Sequence, residues 1–80
     1  MKRKLTLDQP VSYEIRVPGH LDAGWTAWEG RMKVTHAAGD DDSPVTILCG
    51  TVDQAALQGL LRRIYALGLP LISVTWIEGD

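Results

Sequence analysis

The stretch Asp53-Gln54-Ala55-Ala56-Leu57-Gln58-Gly59-Leu60-Leu61-Arg62-Arg63-Ile64-Tyr65-Ala66-Leu67-Gly68-Leu69-Pro70-Leu71-Ile72-Ser73-Val74-Thr75-Trp76 decides how the chain folds. Asp53 is placed as an N-cap, with its carboxylate against the positive end of the helix dipole. Leu57, Leu60, Leu61, Ile64 and Leu67 recur at helical spacing and make one apolar stripe, with Gln58, Arg62 and Ala66 opposite. Gly68 suits the left-handed position beyond the last turn. Leu69 is then set to fold back on Ile64, and Pro70 prevents continuation. The pattern therefore predicts one main helix over residues 53–67 and a strand over 71–77. In that strand Ile72, Val74 and Trp76 share one face, and Leu71, Ser73, Thr75 and Ile77 share the other.

Working back from the helix, the upstream chain reads mostly as sheet. Val11, Tyr13, Ile15 and Val17 alternate with Ser12, Glu14 and Arg16, the period-2 pattern of a half-buried strand, and Pro18-Gly19 stops it. Residues 31–37 alternate again, with Met32, Val34 and His36 on one side. The turn formers of Ala38-Gly39-Asp40-Asp41-Asp42-Ser43-Pro44 then mark a hairpin loop. Residues 45–52 form a third strand, apolar on both faces, with Leu48 and Val52 on one and Val45, Ile47 and Cys49 on the other. Such a strand is expected to be covered on both sides. Between the first two strands, Asp22 is placed as a cap and Leu21, Trp25 and Trp28 fall at helical spacing, which marks a very short helix ending at Gly30.

The order strand, short helix, strand, strand, helix, strand is α+β. It matches the ferredoxin-like βαββαβ arrangement, a four-stranded antiparallel sheet carrying one main helix; βββαβ, without the short first helix, is the alternative. Short connections and the crossover preference place the last strand beside the first. Residues 1–10 read as a flexible leader and 11–80 as one α+β domain, since 80 residues do not supply two cores.

Composition removes several classes of function. The net charge of −2, with basic clusters only at Lys2-Arg3-Lys4 and Arg62-Arg63, is unpromising for binding a phosphate backbone, so nucleic acid is not an expected partner. No run approaches the roughly 18 apolar residues of a membrane span. One cysteine, Cys49, rules out an intrachain disulfide and multi-thiolate zinc sites, and it fits a reducing, cytoplasmic setting. The loop Asp40-Asp41-Asp42 lacks the alternating ligands and closing glutamate of a calcium-binding EF-hand. No arginine occurs between Arg16 and Arg31, so an acylphosphatase-type anion loop after the first strand has no cation. No metal and no cofactor are expected.

The residues Tyr13-Glu14-Ile15-Arg16-Val17-Pro18-Gly19-His20-Leu21, then Trp25 and Trp28, then residues 50–64 and Leu67-Gly68-Leu69-Pro70-Leu71-Ile72-Ser73-Val74, resemble a widespread group of short uncharacterised bacterial proteins. The resemblance spans residues 11–77. It implies a family and a small α+β domain, and it brings no activity or catalytic residues. Where members of that group often carry an aromatic residue after the second tryptophan, this chain has Glu29.

Two candidate sites follow from the residues. His20, Asp22, Trp25 and Trp28 offer aromatic walls, an imidazole and an orienting carboxylate, the ingredients of a small-molecule pocket; in the structural alternative Asp22 is a cap and the indoles are core. Val45, Ile47, Cys49 and Trp76 belong to strands apolar on two faces, of which one helix covers one. Leaving such side chains in water costs about 1.5–3 kcal/mol apiece, which favours a homodimer. Cys49, inside an apolar strand, reads as buried and inert. With no acid/base pair or cofactor fingerprint, the chain reads as a self-associating interaction or regulatory module, open to a protein partner, rather than an enzyme.

Overall fold

The computed structural model describes residues 6–21 and 32–77. Four strands, β1 (Val11–Pro18), β2 (Met32–Ala38), β3 (Pro44–Val52) and β4 (Ser73–Ile77), accompany one helix, α1 (Gln54–Ala66). The sheet order is β2-β3-β1-β4, and every neighbouring pair is antiparallel. The fold is thus α+β, with the last strand beside the first, as the connection rules require. Strands β1 and β2 run parallel with β3 between them. This is the ferredoxin-like strand order. The short helix that separates βαββαβ from βββαβ falls at residues 22–29, outside the described residues.

Register assigns the faces. Tyr13 lies opposite Gly50 and Trp76, Ile15 opposite Leu48 and Val74, and Val17 opposite Thr46. Of these, Tyr13, Ile15, Val17 and Leu48, with Val11 and Val52, meet the helix residues Leu57, Leu60 and Ile64 in one buried cluster. The alternation in β1 produces this directly, because successive side chains leave opposite faces. Met32, Val34, Leu61, Leu69 and Trp76 pack around its margin.

Both helix ends close as their residues dictate. The Asp53 carboxylate accepts the Ala56 N–H at 2.9 Å. At the other end the Gly68 N–H reaches the Tyr65 carbonyl at 2.9 Å and the Leu69 N–H reaches the Ile64 carbonyl at 3.3 Å. With Gly68 at φ +78°, these two bonds make a Schellman closure, a conformation that a side chain at this position would strain. Leu69 folds back onto the core, as its spacing predicts. Two expectations shift. Leu67 is the C-cap and is exposed, so the apolar stripe ends at Ile64. The last strand begins at Ser73, which leaves Leu71 and Ile72 in the turn leading to it.

Candidate functional site

The segment after β1 is tied to the sheet by side chains. Gly19, at φ +95°, turns the chain and donates its N–H to the Pro44 carbonyl at 2.8 Å. Thr46, completely buried, donates its hydroxyl to the Gly19 carbonyl at 2.7 Å and accepts the Leu21 N–H at 3.0 Å. His36 Nε2 lies 2.9 Å from the Leu21 carbonyl. A carbonyl only accepts, so Nε2 carries the proton of this bond. The His20 ring lies flat on the His36 ring, with centroids 3.6 Å apart and planes 18° from parallel. Of the four pocket residues read from the sequence, the structure places His20; Asp22, Trp25 and Trp28 lie outside the described residues.

His20 and His36 come together, but Cys49 does not join them. His36 pairs with Thr46 on the helix-facing side, whereas Cys49 lies opposite Glu14 and Lys33 on the other. Among the described residues no three His, Cys, Asp or Glu side chains approach closely enough to share a metal ion. The Cys49 thiol is half-buried, not buried as the apolar strand suggested, because no second layer covers its face among the described residues.

Register also divides the second candidate set. Val45, Ile47 and Cys49 point away from the helix, while Trp76 pairs with Tyr13 on the helix side and packs against the core. Val45 is 6% exposed. The β2–β3 hairpin folds over it: a Cβ on Gly39 would sit 3.1 Å from Val45 Cγ2. That hairpin is held by the Gly39 N–H on the Ser43 carbonyl at 2.8 Å and by the Asp41 carboxylate, which accepts the Ser43 N–H at 3.1 Å and the Ser43 hydroxyl. Bonding to the Ser43 hydroxyl, and then to its N–H, lowers the Asp41 carboxyl below its ordinary value of 3.8.

Beside Ile47 and Cys49 the open face is polar. Arg16 Nε donates to Glu14 Oε2 at 2.8 Å, and the Ser12 and Thr51 hydroxyls meet at 3.0 Å. A cleft of about 350 Å³ runs between Arg16, Pro18, Val45 and Ile72 and the hairpin residues Gly39, Asp40, Asp41 and Ser43. Its cation is engaged by Glu14 and its Asp41 carboxylate by Ser43.

The remaining feature is the border formed by β4 and the chain leading into it. Tyr65, Leu67, Leu71, Ile72 and Val74 are all exposed, Tyr65 at 84% and Ile72 at 54%. Val74 shares the helix face with Ile15, its partner across β1, yet it is 39% exposed. The helix buries its stripe against the centre of the sheet and leaves this margin uncovered. Fourteen consecutive residues, Ile64 to Ile77, carry no charge.

Sequence reasoning does not single out Thr46, and it marks Leu71, Ile72, Trp76 and Ile77 as apolar on a two-faced strand without placing that strand at a border. The signal for Thr46 was its phase, since it alternates with Leu48 and Val52. The charge-free run was visible too, but which strand forms an edge is a property of the sheet order.

No curated protein and no solved structure matches the chain. A family model does match, from Ser12 in β1 to Thr75 in β4, and so takes in the segment from the first strand through the helix to the last strand. By this match over residues 12–75, the chain belongs to the family described as Domain of unknown function (DUF8691).

Proposed function

We propose that this chain is a small self-associating module, a homodimer with an interaction or regulatory role. One observation carries the reading: among the described residues, all the exposed large apolar side chains except Leu7 fall within residues 65–74. Single exposed apolar residues are ordinary, whereas a concentrated group is a surface that a partner covers. The lone cysteine fits a reducing compartment, and we place the module in the cytoplasm. Among the described residues no helix is long and apolar enough to cross a membrane.

Sedimentation velocity at tens of micromolar chain tests this. The expected result is a species of twice the chain mass that dissociates on dilution. A strict monomer at the highest concentration overturns the reading.

A second reading, a small-molecule site built on His20, Asp22, Trp25 and Trp28, draws on the position of the exposed His20 imidazole against His36. On that reading His20→Ala abolishes ligand binding and leaves the melting temperature unchanged. Unchanged affinity removes its basis.

A further inference from the structure

We infer that the dimer forms by antiparallel pairing of β4 with β4 of a second copy, which joins two four-stranded sheets into one of eight strands. The inference rests on the self-association proposed above and names the edge that carries it. Strand β4 pairs with β1 on one side, and among the described residues it has no neighbour on the other. An unpaired edge presents a row of N–H and C=O groups ready for another strand.

Charge decides what that other strand is. At a two-fold axis every side chain meets the surroundings of its own copy, so a charged edge sets like against like. The other edge, β2, carries Lys33 and His36. Strand β4 carries no charge, and none occurs from Ile64 to Ile77. This edge is therefore compatible with itself, and it lacks the lysine or inward-pointing charge with which edge strands are usually protected. Antiparallel pairing of a strand with its own copy is two-fold symmetric by construction, so one contact satisfies both edges and closes the assembly at two.

The side chains agree with that geometry. A two-fold axis perpendicular to the sheet puts both helices on one side, and Val74 of each copy then lies on the helix-facing side of the joined sheet. The 39% of Val74 that the helix leaves open is what a second copy covers. The half-covered core margin of each chain becomes interior. An extended segment of a different protein added to the same edge is the competing occupant.

The test uses the whole chain. Sedimentation equilibrium over a concentration series is run on the wild type, Val74→Lys, Val74→Glu, and Thr35→Lys on the β2 edge as a control. Circular dichroism confirms the fold of each. We expect Val74→Lys and Val74→Glu each to weaken the dimer by at least about tenfold in dissociation constant. An equimolar mixture of the two should regain much of the wild-type association, and Thr35→Lys should match the wild type. A wild-type dimer that is unaffected by both Val74 variants overturns the β4 inference and leaves self-association standing. A monomeric wild type overturns both and favours the foreign-strand occupant. If the Val74 variants do not fold, amide hydrogen exchange of the wild type decides. Protection across Ser73–Ile77 must rise with chain concentration, and concentration-independent exchange there overturns the inference.

Discussion

At one border of the sheet, β2 carries Lys33 and a histidine whose imidazole bonds the Leu21 carbonyl, while buried Thr46 on the next strand grips the same segment at Gly19 and Leu21. At the other border, β4 offers uncharged residues, a half-open Val74 and exposed Leu71 and Ile72. Among the described residues the two edges face the same physical problem, an unpaired row of backbone groups, and they meet it differently. The β2 edge carries charge, and side-chain bonds hold a segment of its own chain beside it. The β4 edge is left plain, and that makes it the place to look for a partner.

The comparison breaks first at the pair Ile15 and Val74, which lie directly opposite on β1 and β4. Ile15 is fully buried, so Ile15→Ala removes packed methyl groups from the centre of the core. Its expected cost is about 2–5 kcal/mol in denaturant unfolding. Val74→Ala, measured on dilute monomer, is expected to cost about 1 kcal/mol or less, because much of that side chain already meets water. Equal losses at the two positions would mean that the β4 margin is as well covered as the centre.

A second substitution sharpens the β2 side. Thr46→Val keeps the shape and removes the hydroxyl, stranding the Gly19 carbonyl and the Leu21 N–H. We expect a loss of about 1–3 kcal/mol, with faster amide exchange at Leu21 and little change along β4. Uniform acceleration across both edges would show that Thr46 supports the sheet generally. His36→Ala, which removes one bond and the stacked ring under His20, is expected to cost about 0.5–1.5 kcal/mol, read by thermal melting. A neutral result would assign the whole grip on the segment to Thr46.

The smallest effect belongs to the hairpin that shields Val45. The Asp41 carboxyl is lowered in the folded chain by its bonds to Ser43, so its contribution to stability is complete above the ordinary value of 3.8 and fades as pH falls through the lower, folded one. In Ser43→Ala the Asp41 carboxyl should titrate closer to its ordinary value, followed by NMR of the side-chain carbon. An unchanged titration would detach Asp41 from the hairpin.

Much of this architecture is legible in residues. Alternation in Val11–Val17 names a one-sided strand, and that strand is the centre of the core. Asp53, the leucine stripe and Gly68-Leu69-Pro70 mark the helix to within a residue at each end. Such features are local: a period, a cap and a stop act through neighbouring backbone, and sequence order carries them. The candidate sites were read less completely. Val45 alternates onto the open face as its position demands, yet the hairpin covers it, because a loop's path over a sheet is not encoded in the strand it crosses.

What the sequence determines by itself is, among the described residues, the set of elements, four strands and one capped helix, together with a charge-free run from Ile64 to Ile77 and one cysteine. Tertiary structure alone decides that Trp76 joins the core while Cys49 faces away from it, that Thr46 and His36 hold Leu21, and that β4 is an edge. The physical reason is range. Helix and strand patterns come from interactions between residues a few positions apart. Edges, faces and shared bonds come from the order in which distant strands pair, and the same alternation reads alike at the centre of a sheet and at its border.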